Sequence, residues 1–300
     1  MTSPSQPPAT WAAGDRYEPY VGRWSRRVAP EFVAWLGIPA GKRWLDVGCG
    51  TGALSQTILG NAQPSQVAGV DPSEGFLAFA RTRAPQAEFR VGDAQALPFD
   101  DYRFDAAVSG LVLNFVPDSA KAAGEMSRVV RAGGTIAAYV WDYAGEMQLM
   151  RRFWDAAAAV DPAARNLDES LRFPLCQPDA LRASWTAAGL DDPQVRTIDV
   201  PTVFKDFDDY WSPFLRRPGP GADLLHVAGR ASRAVAPVPA RHAAHRERRQ
   251  HPPDRPRVRG ARRQALIDAA RLAVAMHRNP AHANNPLGPA FPVERTWRPT

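Results

Sequence analysis

Residues 44–55 read WLDVGCGTGALS, and this stretch decides the fold. A short apolar run ends at Asp46, and three glycines follow at alternate positions, Gly48, Gly50 and Gly52. Glycine permits a sharp turn and lets a ligand approach the backbone, because it has no Cβ. A helix that begins near Ala53 would direct its unpaired N–H groups at a ligand above the turn. The stretch therefore predicts a buried strand, a binding turn and a helix.

Carboxylates at three successive strand ends predict the chemistry of that ligand. Asp46, just before the glycines, would repel a pyrophosphate and attract an ammonium group. Asp71 ends the next predicted strand, 66–70, and its two oxygens can accept hydrogen bonds from a ribose diol. Asp93 follows a third strand, where it can bond the exocyclic amine of a base. Together they suit an amino-acid-bearing nucleoside.

The remaining pattern predicts an α/β fold, a doubly wound, mostly parallel sheet with helices on both faces. Segment 143–175 interrupts the alternation and is predicted to be an insertion over the active site. The other predicted elements are strands 104–110, 135–141 and 194–203, and helices 118–131, 146–160 and 178–188.

Four motifs occur in order, one per strand: WLDVGCGTG, GVDPSEGFLAFAR, VGDAQALPFDDYRFDAAVSG and RVVRAGGTIAAYVW. In these motifs the chain resembles the class I S-adenosylmethionine-dependent methyltransferases, in particular the group that includes the ubiquinone and menaquinone biosynthesis C-methyltransferases. The resemblance implies a Rossmann-like methyltransferase domain over residues 16–215. We expect residues 1–15 to be disordered. It also implies S-adenosyl-L-methionine as cofactor and methyl transfer to a small, apolar or aromatic acceptor.

The resemblance also assigns residues to the cofactor. It places Asp46 at the methionine end, Asp71 on the ribose and Asp93 on the adenine, and it takes the segment around Tyr20 as an N-terminal cover. The full set implied is Tyr20, Trp24, Asp46, Gly48, Cys49, Gly50, Gly52, Asp71, Pro72, Asp93, Ala94 and Ser109. No metal is expected.

Methyl transfer from a sulfonium needs little acid–base help, because the donor is already activated and orientation does most of the work. Asn114 is the candidate to orient the acceptor, since it carries the amide side chain in the stretch after strand four. A hydroxyl acceptor would need a base, and no histidine occurs before residue 216. Asp142 and Tyr143 are the catalytic candidates for that step, with Tyr17, Tyr20 and Glu146 as alternatives.

Aromatic residues after strand five predict a wall for a flat or lipophilic acceptor. The residues are Trp141, Tyr143, Phe153, Trp154 and Trp211. A second interpretation, favoured for Phe153 and Trp154, is that they form the core of the insertion.

Residues 216–300 differ from the rest of the chain, with 17 arginines, no lysine and five acidic residues. We interpret this tail as the product of a slipped coding frame, because GC-rich DNA read out of frame yields Arg, Pro, Ala, His and Gly. A disordered extension and a basic arm for nucleic acid or anionic membrane are the alternatives. We therefore expect the closing strand to be missing, an irregular tail, and any helix over 262–278 to be isolated.

Two further enzyme and protein classes compete with the methyltransferase interpretation. Gly48 to Ala53 satisfies G-x-G-x-x-A, which suits an NAD-dependent oxidoreductase. Asp46 beside the pyrophosphate position argues against that class, as does the lack of a Tyr-x-x-x-Lys pair before residue 216. The other alternative is a nucleoside-binding protein with impaired turnover.

Composition predicts the compartment and the partners. Two cysteines are too few for a disulfide framework, and Cys49 is predicted to be a small buried residue. No apolar run is long enough for a membrane span. We expect a cytoplasmic enzyme with a small-molecule acceptor and no specific nucleic-acid partner.

Overall fold

The computed structural model of the protein describes residues 22–190 and 193–215, together with the backbone of 266–278. These residues form one mixed sheet with helices on both faces, as predicted. Within them, no helix combines the length and the apolar character that crossing a bilayer requires. Tyr17, Tyr20 and the predicted disordered segment 1–15 lie outside the described residues.

The described elements follow one another in the order predicted for the first 215 residues. The helices are α1 (Arg23–Leu36), α2 (Ala53–Asn61), α3 (Glu74–Arg83), α4 (Ser119–Val129), α5 (Gln148–Val160), α6 (Glu169–Arg172), α7 (Pro178–Ala187) and α8 (Phe207–Leu215). The strands are β1 (Arg43–Val47), β2 (Gln66–Asp71), β3 (Glu88–Val91), β4 (Phe104–Gly110), β5 (Val130–Trp141), β6 (Gln194–Phe204) and β7 (Leu266–Arg278). Short 3₁₀ helices span Leu113–Phe115 and Pro162–Leu167.

Strand β1 lies inside the sheet, whose order is β3-β2-β1-β4-β5-β7-β6. Its parallel register pairs Asp46 with Gly69 of β2 on one side and with Val108 of β4 on the other. Trp44, Leu45 and Val47 are fully buried, as expected of a parallel strand covered on both faces. The strand order reverses between β1 and β4, and such a reversal opens a crevice at the carboxyl ends of the strands.

Local sequence signals explain the helix starts beside this crevice. Ser73 caps α3 by accepting a hydrogen bond from Phe76 N at 3.3 Å, as predicted. Asp118 caps α4 by accepting one from Lys121 N at 2.8 Å. Helix α4 ends at Val129, two residues before the predicted end, because the chain enters β5 at Val130.

The prediction that the closing strand is missing is wrong. Residues Leu266–Arg278 form β7, which runs antiparallel between β5 and β6. It pairs with seven residues of β5 and eleven of β6. The local sequence has helical spacing, but the strand satisfies the backbone groups of two neighbours at once, and such pairing overrides a weak local preference. The rest of the tail, 216–265 and 279–300, lies outside the described residues.

A chain that ends at Arg217 should therefore be strongly destabilised, because β6 would lose the strand that joins it to β5. We expect the melting temperature, followed by circular dichroism, to fall by roughly 10 °C or more. A chain that ends at Pro280 retains β7 and is the control, which should melt close to the full-length protein. Equal melting of the two truncated chains would contradict the assignment of β7.

Candidate active site

The glycine turn between β1 and α2 is attached to the end of β2. Gly48 N and Cys49 N both donate to the carbonyl oxygen of Val70, at 2.7 Å and 3.0 Å. Gly48, Gly50 and Gly52 have φ values of +72°, +52° and +83°. This left-handed region favours glycine, so the spacing read in the sequence reflects the backbone conformation of the turn.

The three glycines differ in the space that surrounds them. A Cβ on Gly48 would lie 2.4 Å from Cγ1 of Val112, in the loop after β4. A Cβ on Gly52 would lie 3.0 Å from Cα of Ala80, where α2 approaches α3. A Cβ on Gly50 would meet nothing within 4 Å. Gly48 and Gly52 thus allow close packing, whereas Gly50 faces open space in which a ligand can lie.

Asp46 is a buried carboxylate with one oxygen unpaired. The residue is 1% exposed, and its Oδ2 accepts a hydrogen bond from Ser55 Oγ of α2 at 2.7 Å. Its Oδ1 is buried and has no hydrogen-bond partner in the described part of the chain. Burial raises the pKa of Asp46 to about 7, although the hydrogen bonds from Ser55 oppose the shift. A cationic donor would satisfy the free oxygen and restore the charged form.

Asp71 connects the turn to the start of α3. Its Oδ2 accepts from Gly50 N at 3.0 Å and its Oδ1 from Ser73 N at 2.9 Å. Burial raises the pKa of Asp71, and these two N–H groups act in the opposite direction. Pro72, which follows it, is exposed. The carboxylate is therefore held at the strand end, next to the glycine that faces open space.

Asp93 and Ala94 follow the adjacent strand β3. Gly92 N donates to the Asp71 carbonyl oxygen at 3.2 Å, so the ends of β2 and β3 lie side by side. Asp93 is exposed and accepts a hydrogen bond from Gln95 N at 2.8 Å, whereas Ala94 is buried. The structure thus brings Asp46, Asp71 and Asp93 to one edge of the sheet.

Three other residues assigned to the cofactor have side chains engaged in packing. Cys49 is buried with Leu77, and burial raises the pKa of its thiol. Ser109 Oγ donates to the Val47 carbonyl oxygen at 2.8 Å, which links β4 to β1. Trp24 packs edge-on against Phe204, with ring centroids 5.4 Å apart. Side-chain contacts of these residues with the cofactor stay predictions.

The loop after β4 borders the glycine turn. Its first residue, Leu111, has φ of +63°, and its N–H donates to the Tyr139 carbonyl oxygen at 2.8 Å. A positive φ at leucine is strained, and strained residues cluster at functional sites. Asn114 lies in the 3₁₀ helix of this loop, and its Nδ2 is buried with no hydrogen-bond partner among the described residues. It is a donor without an acceptor.

Asp142 organises the loop after β5. Its Oδ1 accepts from Gly145 N at 2.9 Å and its Oδ2 from Glu146 N at 3.2 Å. Both carboxylate oxygens of Asp142 thus stabilise the turn that leads to α5. A catalytic role for Asp142 stays a prediction. Tyr143 is mostly buried, with its ring centroid 5.6 Å from that of Phe173.

The predicted aromatic wall is mainly core. Phe153 and Trp154 of α5 are each 2% exposed, and Phe153 stacks on Phe214 of α8 at 4.3 Å. Trp141 and Trp211 are also buried. The second interpretation made for Phe153 and Trp154 therefore describes them better. The sequence analysis missed Phe173, whose ring lies 5.0 Å from that of Phe115 in the predicted acceptor stretch after β4, because nothing local marks two distant aromatic residues as neighbours.

Comparison with known proteins agrees with this geometry. Residues 45–138 match the family described as a methyltransferase domain. The chain is 32% identical over 205 residues to 2-methyl-6-phytyl-1,4-hydroquinone methyltransferase of Synechocystis, covering 62% of this chain and 59% of that protein. It is 39% identical over 114 residues to demethylmenaquinone methyltransferase of Renibacterium salmoninarum, covering 38% of this chain and 46% of that protein.

The domain is similar to class I S-adenosylmethionine-dependent methyltransferases. The predicted domain class, fold and cofactor are thereby confirmed. Phosphoethanolamine N-methyltransferase 2 of Haemonchus contortus, solved in complex with S-adenosyl-L-methionine, shares the fold with a TM-score of 0.51 at 16% identity, over 85% of this chain and 52% of that one. The chain spans about half the length of the relatives that it matches.

The raised pKa of Asp46 predicts how cofactor affinity depends on pH. Above about pH 7 the carboxylate is charged and attracts the ammonium group, and below that pH it is protonated and the attraction is lost. Affinity for S-adenosylhomocysteine, measured by calorimetry, should then fall roughly tenfold per pH unit below the pKa. Ser55→Ala should move the midpoint to higher pH, because it removes a hydrogen bond that lowers the pKa.

The control for this titration is Asp46→Asn, which cannot ionise and should bind weakly with little pH dependence. An affinity of the unmodified protein that stays constant between about pH 5 and pH 8 would contradict the assignment of Asp46 to the ammonium group.

Proposed function

We propose that this protein transfers a methyl group from S-adenosylmethionine to a small acceptor with an apolar or aromatic body. The observation that carries the proposal is Asp46, a buried carboxylate whose Oδ1 has no partner in the described residues, beside a turn where Gly50 faces open space. The two named methyltransferase relatives act on a hydroquinone and a demethylmenaquinone by their names, which supports a ring-bearing acceptor.

The residues present fit the cofactor. Asp46 would accept the ammonium group, Asp71 the ribose hydroxyls and Asp93 the adenine amine, with the backbone at Gly50 against the ligand. When bound, the cofactor supplies an activated methyl group. The protein then has to hold the acceptor in line with that methyl and exclude water, and correct orientation can contribute about 7–11 kcal/mol.

Asn114 is the proposed positioning group for the acceptor. Its Nδ2 is buried and lacks a hydrogen-bond acceptor in the described residues, so an oxygen or nitrogen of the substrate would satisfy it. Asp142 or Tyr143 would remove a proton only if the acceptor is a hydroxyl. Both oxygens of Asp142 already accept backbone hydrogen bonds, which supports a structural task for this residue.

The fit argues against one of the two alternatives, the NAD-dependent oxidoreductase. An NAD-dependent enzyme would place a pyrophosphate at the glycine turn, and the charged form of Asp46 would repel it. A nucleoside-binding protein without turnover would show the same cofactor site. Only a measurement of methyl transfer that is separate from binding distinguishes this second alternative.

The first test is binding of S-adenosylhomocysteine and NAD to the full-length protein by calorimetry. We expect binding of the first and none of the second. Gly50→Ala should weaken S-adenosylhomocysteine binding at least about tenfold, because its Cβ would enter the ligand space. Gly41→Ala is the matched control, since Gly41 also has positive φ and an open Cβ position but precedes β1 at the opposite sheet edge. Binding of NAD alone would contradict the proposal.

The second test separates turnover from binding. With labelled S-adenosylmethionine and naphthalenediol as probe acceptor, Asn114→Ala should reduce the transfer rate by about two- to tenfold, the effect of one neutral hydrogen bond. S-adenosylhomocysteine binding should not change. Asn61→Ala, at the exposed end of α2, is the control. Binding without transfer to any acceptor tested would favour the nucleoside-binding alternative.

A further inference from the structure

Three aromatic side chains meet at the carboxyl edge of the sheet. Phe173 lies 5.0 Å from Phe115, with the ring planes 75° apart, and 5.6 Å from Tyr143, with the planes 33° apart. We call these three residues the aromatic triad. They come from separate segments: the loop after β4, the loop after β5, and the end of α6.

The triad is next to the candidate cofactor site. Val112 occupies the space above Gly48, so the glycine turn and the loop after β4 are in contact. Phe115 comes three residues after Val112 and directly follows Asn114, the proposed positioning group. An acceptor bonded to Asn114 would therefore be held by the loop that carries Phe115 of the triad.

Phe173 is held in place from α5. Arg151 pairs with Asp168, and Trp154 Nε1 donates to Glu169, so two side chains of α5 attach to consecutive residues around the start of α6. The backbone N–H of Phe173 then donates to the Glu169 carbonyl oxygen at 2.9 Å. The segment that carries the Phe173 ring is therefore attached to α5 at its first residues, and this attachment fixes where the ring lies.

The triad retains surface for a ligand. Phe115 is 44% exposed, whereas Tyr143 is 9% exposed and is packed into the protein. Phe173, half-buried, lies between them and touches both rings. Aromatic rings bind one another in edge-to-face or offset arrangements with centroids 4.5–7 Å apart, and the triad presents faces and edges at such spacings.

We propose that Phe173 is a specificity-determining residue of the acceptor site, and that the triad selects a planar aromatic ring over a saturated ring of the same size. This inference rests on the proposed function. It adds to it a substrate class, a flat aromatic ring with a hydrogen-bonding substituent toward Asn114, and a residue that enforces the choice.

The test compares two probes on the full-length protein loaded with S-adenosylhomocysteine. Naphthalenediol is planar, and decalindiol has the same ring skeleton in saturated form. By calorimetry we expect the unmodified protein to bind naphthalenediol at least about tenfold more tightly, the effect of one to two aromatic contacts. Phe173→Ala should bring the affinity ratio close to one. Phe173→Leu, which stays apolar and fills most of the space, should also lose the ratio while keeping the melting temperature.

Leu171→Ala is the matched control, because Leu171 lies in α6, two residues before Phe173, but is 65% exposed. It should leave the ratio unchanged. If Phe173→Ala does not fold, Phe173→Leu decides the question. A ratio retained in Phe173→Leu would overturn the inference, as would an unmodified protein that binds S-adenosylhomocysteine but shows no preference for naphthalenediol or binds neither probe. Failure of the unmodified protein to bind S-adenosylhomocysteine would overturn the proposed function itself and the inference with it.

Discussion

The buried carboxylate of Asp46 is the constraint on which the site depends. It lies one residue before the end of a strand that is covered on both faces, its Oδ2 accepts a hydrogen bond from Ser55 Oγ, and its Oδ1 has no partner in the described residues. Burying a charge without full compensation is costly, and the group responds with a pKa raised to about 7. A carboxylate in this position contributes little to stability. The proposed cationic ligand would compensate its charge.

The site has two sides that are built differently. The cofactor side consists of the ends of β1, β2 and β3, where short turns hold Asp46, Asp71 and Asp93 on neighbouring parallel strands. The proposed acceptor side consists of the loops after β4 and β5 together with α5 and α6. Val112 packs into the space above Gly48 and joins the two sides. This division fits a domain whose cofactor is constant and whose acceptor depends on the covering segments.

Much of the cofactor side could be predicted because its signals are local. The glycine spacing follows from positive φ angles within one turn, and each carboxylate lies within two residues of the end of its strand. Strand β7 could not be predicted in this way, since its reason to be extended lies in β5 and β6, more than sixty residues away in the chain. The contact of Phe173 with Phe115 likewise depends on the attachment of α6 to α5. Side-chain contacts were the other limit: nothing local in the sequence shows that Ser109 Oγ donates to the Val47 carbonyl oxygen or that Trp24 packs against Phe204.

The most direct measurement is the titration of the Asp46 carboxyl carbon by NMR on isotope-labelled protein, with and without S-adenosylhomocysteine. We expect an apparent pKa of about 7 for Asp46 in the free protein and a clear decrease when the ammonium group binds. A pKa near that of an ordinary aspartate in the free protein, or one that does not change on binding, would contradict the claim that Asp46 is the cation-binding group of the site.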